Sequence, residues 1–492
     1  MNFQPGNLPA AGYGGARLQI TRNWLYRKEP AEVWGLFVLP FCTQKASFFV
    51  GFIGVCPASV PWETSFKHRK EAEYMRRINW KKPAAVAAAL ALTTALLAGC
   101  GSTAATSDSA AESTSASESE AESTEETADE GEADEVAAKN CADLIDAIYV
   151  QERNDDTDAQ CEAAKAAWDA LTDTQKEMVE GENADPEYFG RDTGDAGQDD
   201  PRNGDEIGEN ELLVVSFGTS FNGSRAADIK GVEDALQAAY PDWSVRRAFT
   251  AQIIINHVQA RDGEKIDNME QALDRAVANG VKNLVVQPTH LMHGAEYDEM
   301  CETVDAYKDK FESVAIAEPL LGEVGEDATV INADKEAVAA AITAEAVKTA
   351  GYDDAAAAAA DGVAFVFMGH GTSHTAKVIY SQMQTTMQTL GYDNVFIGTV
   401  EGEPEDTACD AVIEKVKEAG YTKVVLRPLM VVAGDHANND MAGADDDSWL
   451  SQFKAADCFD SVDTQIAGLG EIADVQQLYV AHAQAAIDSL NG

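Results

Sequence analysis

The 492-residue sequence has few basic residues for its length. It contains 36 Lys and Arg against 84 Asp and Glu, which gives a formal net charge of −48. A surface of that sign repels nucleic acid and anionic lipid surfaces, so neither is expected as a partner. The eight cysteines also lack CxxC spacing, which argues against a thiolate metal site.

One apolar run near the N-terminus has the features of a targeting signal. The stretch "MRRINWKKPAAVAAALALTTALLAGC" has a basic start, a run of small and aliphatic residues, and a small-residue ending at Cys100. The run is shorter than the roughly 20 residues of a spanning helix, so we favour a signal peptide at 75–99 over a transmembrane anchor. "LAGC" resembles a bacterial lipoprotein box. This resemblance implies that a lipid is attached to Cys100 and is the one contact with the membrane. It also implies that the protein is extracytoplasmic and lipid-anchored. Residues 1–74 fit no targeting pattern. We interpret them as an N-terminal extension that results from a wrongly assigned start codon, with Met75 as the true first residue.

Three further segments precede the main part of the chain. Residues 100–135 form a Ser/Thr/Ala/Glu tract without apolar periodicity, which predicts a disordered acidic tether. In 136–182, apolar residues recur at helical spacing, which predicts a small helical module similar to the spacer repeats of bacterial surface proteins. Cys141 and Cys161 of this module form either a disulfide or two free thiols, and the sequence leaves both open. Residues 183–210 are interpreted as a linker.

From residue 211 onward, short apolar runs alternate with helical stretches. This alternation predicts a parallel sheet with crossover helices. The order also repeats, because "VAFVFMGHGTS" corresponds to "ELLVVSFGTS", and "KVVLRPLMVVAGDH" corresponds to "NLVVQPTHLMHGAE". We therefore predict an α/β fold of two similar, doubly wound parallel-sheet lobes related by internal duplication, at 211–335 and 362–492. The helical segment 336–361 connects them. Ligands of such sheets bind beyond the carboxyl ends of the strands.

Histidines concentrate at these predicted strand ends. Five of the eight lie there, namely His290, His293, His370, His374 and His436. Each histidine alone is more commonly a turn or surface residue. Clustering of this kind is unusual for histidines used only in packing.

A metal site is the simplest interpretation of part of this cluster. His370, Glu401 and His436 follow three predicted strands of the second lobe, and two imidazoles with a carboxylate suit Zn, Co, Ni or Fe. Glu296 of the first lobe corresponds to His436 in the repeat, and His374 is interpreted as a neighbour of the site or a substrate-facing residue. The two Gly-Thr-Ser segments lack the Lys and the spacing of a P-loop, so no nucleotide is expected.

Several of these stretches carry a resemblance to a known family. "LLVVSFGTSF", "VFMGHGTSH", "VEGEP" and "PLMVVAGDHANNDM" occur in this order and resemble the anaerobic-type sirohydrochlorin cobaltochelatases, class II tetrapyrrole chelatases of cobalamin biosynthesis. The resemblance implies a two-lobed chelatase fold. It also implies ATP-independent insertion of Co²⁺, with Fe²⁺ or Ni²⁺ as alternatives, into a sirohydrochlorin-type tetrapyrrole.

The resemblance also implies roles for single residues. His370, Glu401 and His436 match the family's metal ligands, His370 is in addition a proton acceptor, and Glu296 matches a carboxylate that assists across the cleft. Insertion removes two pyrrole N–H protons, and neutral imidazole can serve both as a base and as a labile ligand.

Two alternatives stay open at this point. The strongly acidic chain would repel the carboxylates of sirohydrochlorin, and Arg246, Arg247 and Arg427 either form a basic rim for it or make surface ion pairs. The alternative function is a non-catalytic extracytoplasmic lipoprotein that captures metal, haem or a corrinoid. The sequence predicts no oligomeric state.

Overall fold

The computed structural model describes residues 123–490, with side chains from residue 131 onward. The predicted N-terminal extension, the signal peptide, Cys100 and the tether as far as residue 122 lie outside the described residues. The first described element is helix α1 (Ser123–Ile148), so the last part of the predicted tether is helical. Glu and Ala favour helices, and acidic residues in the first turns interact favourably with the helix dipole. No helix among residues 123–490 is both long enough and apolar enough to cross a bilayer.

The predicted helical module has its own small core. Helices α2 (Thr157–Ala170) and α3 (Asp173–Lys176) complete it. Ile145, Trp168 and Phe189 lie in this core together with Ala260, which belongs to the following domain. Cys141 and Cys161 are both buried and both free thiols, which is the second of the two alternatives.

The first lobe is a four-stranded parallel sheet in the order β2–β1–β3–β4. Its strands are β1 (Asn210–Ser216), β2 (Ser244–Phe249), β3 (Asn283–Pro288) and β4 (Ser313–Ile316). Its helices are α4 (Lys230–Ala239), α5 (Gln252–Asp262), α6 (Met269–Ala278) and α7 (Ala295–Tyr307). A short helix (Asn222–Ser224) and a π-helical turn (Arg225–Ile229) lead into α4. Strands β1 to β3 are almost fully buried because helices cover both faces of the sheet, whereas the edge strand β4 is only partly buried.

Two helices then lead to the second lobe, whose parallel sheet has the equivalent order β6–β5–β7–β8. The connecting helices are α8 (Ala333–Thr349) and α9 (Ala355–Ala360). The strands are β5 (Val363–Gly369), β6 (Val395–Thr399), β7 (Lys423–Pro428) and β8 (Ser461–Thr464). The helices are α10 (Val378–Thr389), α11 (Cys409–Glu418), α12 (Trp449–Ala455) and α13 (Ala473–Ser489). The matching strand order confirms the predicted α/β class with two similar parallel-sheet lobes.

The two lobes exchange helices. Helix α13 belongs to the second lobe by sequence but packs on the first, where the Tyr479 hydroxyl donates to the Thr289 carbonyl at 2.9 Å. Helix α8 packs on α10 of the second lobe, and the Thr343 hydroxyl lies 3.6 Å from the Met387 sulfur. One apolar cluster therefore runs through both lobes. The lobe boundaries at 335 and 362 follow the sheets but not these helices, because each parallel sheet needs helices on both faces.

The predicted linker packs against the first lobe and is not a free connection between two domains. Within it, residues 186–199, here called the strap, run from the helical module to the sheet. The Asp199 side chain is fully buried and pairs with the buried side chains of Arg225 and Arg247 at 2.6 Å each. A buried carboxylate needs such partners, so this charge fixes the end of the strap to the lobe.

Candidate active site

The loop after β5 places His370 at the carboxyl edge of the second sheet. Its Nδ1 donates to the Gly371 carbonyl at 2.8 Å, and the Gly371 N–H donates to the Tyr380 hydroxyl at 3.0 Å. Gly371 has a φ of +94°, and a Cβ there would lie 2.8 Å from the Cβ of Glu401. Glycine is required on both grounds, since the conformation is left-handed and the space is already filled.

Glu401 follows β6, the neighbouring strand of the same sheet. Its backbone N–H donates to the His370 carbonyl at 2.9 Å. The residue is exposed, so its carboxylate can turn toward a ligand without breaking a buried contact.

His436 lies beyond β7, immediately before a π-helical turn (Ala437–Met441). Its Nδ1 donates to the Asp440 carboxylate at 2.7 Å, one turn further along. The hydrogen bond to Asp440 raises the pKa of His436, burial opposes the rise, and the charges of Asp440, Asp435 and Glu401 add to it. A carboxylate on Nδ1 of this kind fixes the tautomer and makes Nε2 a stronger ligand.

The structure brings the two imidazoles of the second lobe together. The ring centroids of His370 and His436 lie 4.6 Å apart, edge to face. Each ring uses Nδ1 for a hydrogen bond within its own loop, so Nε2 is the nitrogen that carries the lone pair in the neutral imidazole. Nε2 is therefore the atom through which each ring can bind a metal, at the usual distance of about 2.1 Å.

The three residues do not form a closed coordination set. Within the described part of the chain, no group of three or more His, Cys, Asp and Glu side chains is arranged to hold a metal ion. The ligand set of His370, Glu401 and His436 therefore stays a prediction, although their loops are adjacent.

The first lobe contributes a carboxylate beside a buried histidine. Glu296 lies in the first turn of α7, half exposed, with Oε2 at 3.6 Å from Nε2 of His290. Partial burial of its carboxyl group raises the pKa of Glu296, and the charge of Glu299 adds to the rise. Burial also lowers the pKa of His290 to about 4, and neither ring nitrogen of this residue makes a hydrogen bond. Glu296 thus faces a neutral imidazole.

Contacts between the lobes bring these two sets of loops close together. His374 of the second lobe lies 3.6 Å from Asp298, which shares the first turns of α7 with Glu296. A Cβ on Gly434 would lie 3.0 Å from the Thr219 hydroxyl, so the first Gly-Thr-Ser loop touches the loop that carries His436. His293 pairs with Glu318 at 2.7 Å, and its ring centroid lies 4.4 Å from that of Tyr297, the residue after Glu296.

The arginines form neither a basic rim nor surface ion pairs, and both sequence alternatives are wrong. Arg246, Arg247 and Arg427 are at most 6% exposed. Their positions on β2 and β7 turn them into the protein interior, where acidic groups and carbonyl oxygens surround them. Arg247 pairs with Asp199 and Glu233, for example.

Sequence reasoning missed two residues that hold the site in shape. Tyr380 supports the His370 loop through its hydroxyl, and a Cβ on Gly369 would lie 2.4 Å from its ring. Asp440 orients His436. The i,i+4 spacing of His436 and Asp440 could have revealed this pair, but no local pattern marks Tyr380.

Comparison with known proteins identifies the α/β part of the chain. The model of the family described as cobalt chelatase (CbiK) matches residues 210–488, more than half of the sequence. The chain belongs to the cobalt chelatase family. The resemblance inferred from the motifs is thereby confirmed, and the match begins at β1, after the helical module and the strap.

Two curated relatives match a similar length of the cobalt chelatase chain. The sirohydrochlorin cobaltochelatase of Salmonella typhimurium is 34% identical over 277 residues, covering 56% of this chain and 96% of the relative. Sirohydrochlorin cobaltochelatase CbiKC of Nitratidesulfovibrio vulgaris is 28% identical over 284 residues, covering 57% and 91%. Among solved structures, SirB from Bacillus subtilis with Fe³⁺ aligns with a TM-score of 0.41 at 14% identity, covering 57% of this chain and 97% of that one.

Proposed function

We propose that this protein is a sirohydrochlorin cobaltochelatase, which inserts Co²⁺ into a sirohydrochlorin-type tetrapyrrole without ATP. Membership of the cobalt chelatase family supports the reaction class. The observation that carries the proposal is the pair His370 and His436, whose rings lie 4.6 Å apart at the carboxyl edge of one sheet.

The reaction exchanges two pyrrole N–H bonds for metal–nitrogen bonds and releases two protons. His370 and His436 would hold the incoming ion through Nε2, with Glu401 as a third ligand that can reach it from its exposed position. An incomplete ligand set suits a metal that must be handed over, because a closed four-ligand site retains its ion. Co²⁺ is the proposed substrate metal, and imidazole and carboxylate ligands also suit Fe²⁺ and Ni²⁺.

A proton acceptor is needed that is not occupied by the metal. Glu296 fits this role, since its raised pKa makes its carboxylate a better base than an ordinary glutamate. His370 is the second acceptor once the ion has left it. The exposed Phe217, the first-lobe counterpart of His370, offers an apolar surface for the face of the macrocycle.

For the cellular location, we propose export and attachment of lipid to Cys100. The support is the signal-like stretch that ends in "LAGC". The protein would then act outside the cytoplasm, and the membrane would contact it only through the lipid.

The test is metal insertion by the purified full chain, followed by absorbance after mixing with Co²⁺ and sirohydrochlorin. We expect more than one equivalent of metallated product per protein, which a binding protein would not give. The double variant His370→Ala/His436→Ala should lose more than about 100-fold in turnover, since a positioned base typically contributes roughly 10²–10⁴-fold. His482→Gln, which removes a histidine from α13, is the matched control. Wild-type turnover by the double variant would refute the assignment.

A further inference from the structure

The strap lies outside the part of the chain that matches the cobalt chelatase family, yet it reaches the loop of His436. The family match begins at residue 210, after the strap ends at Asp199. Its other end belongs to the helical module, because Phe189 lies in the module core. The strap therefore connects the module to the catalytic part of the chain.

Two hydrogen bonds hold the middle of the strap in place. The Thr193 carbonyl accepts from the Gly223 N–H at 2.7 Å, and the Gly194 carbonyl accepts from the Asn222 side chain at 3.2 Å. A Cβ on Gly194, whose φ is +101°, would lie 2.7 Å from the Gly223 nitrogen. The strap thus runs backbone to backbone against the first lobe, and Asp199 anchors its end.

Arg191 extends from this fixed strap to the second lobe. Its Nη2 donates to the Asn439 side-chain oxygen at 2.7 Å, and Nη1 lies 3.9 Å from the Asp435 carboxylate. The guanidinium also lies 5.5 Å from the ring centroid of Phe221. Asn439 in turn donates to Asp435 at 2.7 Å, so Arg191, Asn439 and Asp435 form one network on both sides of His436.

The loop of His436 borders a pocket where it faces the strap. A pocket of about 410 Å³ separates parts of the strap from the loop, and Arg191, Phe221, Ala433 and Asn438 are among its lining residues. The start of the loop is held by the first lobe, because the Ser224 hydroxyl donates to the Ala433 carbonyl at 2.6 Å and the Ala433 N–H donates to the Asp228 carboxylate at 2.9 Å. Arg191 adds a contact further along, at Asp435 and Asn439 on either side of His436.

We propose that the strap is a positioning element of the active site, and that Arg191 acts through Asn439 to fix the loop that carries His436. The proposal rests on the proposed function, since it assigns His436 to the metal. Residues that orient a ligand without touching the metal typically change metal affinity or activity by roughly 10- to 100-fold. The helical module is then coupled to the site and is more than a spacer.

The test measures Co²⁺ affinity and insertion kinetics in variants of the full chain. We expect Arg191→Ala to raise the dissociation constant and the KM for Co²⁺ by about 10-fold or more, with an unchanged KM for the tetrapyrrole. Arg191→Lys should recover part of the loss, since a lysine can still donate to one acceptor. The double variant Arg191→Ala/Asn439→Ala should bind Co²⁺ no more weakly than whichever single variant has the lower Co²⁺ affinity. Lys165→Ala, on the surface of the module, is the matched control.

The outcomes separate the two proposals. If the wild-type chain inserts no cobalt, the proposed function is overturned, and the Co²⁺ dissociation constants alone then decide the role of the strap. If Arg191→Ala binds Co²⁺ as tightly as Lys165→Ala, the strap proposal is overturned. The strap proposal is also overturned if the losses of Co²⁺ affinity in the two single variants add fully in the double variant. Urea denaturation accompanies each variant, and Asn439→Ala tests the same contact from the other lobe should Arg191→Ala fold poorly.

Discussion

Replacing Asp199 with asparagine is expected to lower the free energy of unfolding by about 3–5 kcal/mol, the usual cost of leaving buried charges without their partner. Asp199 has no exposed side-chain surface, and neither have Arg225 and Arg247. Three hydrogen bonds of 2.6, 2.6 and 2.9 Å join the carboxylate to these two guanidiniums. The asparagine amide keeps the volume but removes the charge, so two buried cations would share the remaining acidic partners.

The effect should depend on pH in a defined direction. Burial alone would raise the pKa of Asp199, but hydrogen bonds and charges from Arg247 and Arg225 overcome this and hold it below its usual value. A carboxylate with a depressed pKa in the folded state stabilises above the unfolded pKa of about 4, and this contribution disappears as the pH falls. The difference between wild type and Asp199→Asn should therefore be constant from about pH 5 to 8 and shrink below about pH 4.

Urea denaturation followed by circular dichroism measures this difference. Asp242→Asn, which neutralises an exposed acid of the same lobe, is the control and should change stability by less than about 0.5 kcal/mol. A loss of less than about 1 kcal/mol for Asp199→Asn would contradict the reasoning. It would mean that the strap is not anchored by this charge.

Two further predictions concern other parts of the chain. Burial raises the pKa of Glu211 to about 7, partly offset by Arg246, so wild type should lose about 3 kcal/mol relative to Glu211→Gln as the pH rises from about 4 to 7. Urea midpoints against pH measure this, with the exposed Glu209→Gln as control, and parallel curves would refute it. For Cys100→Ser, we expect loss of the lipid-bearing N-terminus and release of the protein from the membrane fraction. Mass spectrometry of the mature N-terminus checks this, and an unlipidated wild-type chain would contradict it.

The fold class could be predicted because its signals are local. Buried strands of a parallel sheet are continuous apolar runs, as in "VAFVFMG", where every residue is buried. The internal repeat added the equivalence of the lobes, which the matching strand orders confirm. The packing of α8 on the second lobe and of α13 on the first was not predictable, since an alanine-rich helix does not encode which of two similar sheets it will cover.

The candidate site was predicted in its residue types and in its place at the strand ends. Motifs placed His370, Glu401 and His436 at three strand ends of the second lobe, and the structure puts the two imidazoles side by side. The surroundings were less predictable. The arginines expected near the surface are buried, because a charge on a strand reveals neither its face nor its partner.

By itself, the sequence determined the order of strands and helices, the duplication, and the residues with metal-binding chemistry, because each depends on neighbours along the chain. Tertiary structure alone decided how the segment before β1 is used. Asp199 and Arg191 lie in a stretch that reads as a polar linker, yet one is anchored in the first lobe and the other reaches the loop of His436. A charge finds its partner through space, and the partners of Arg191 lie almost 250 residues away in the chain.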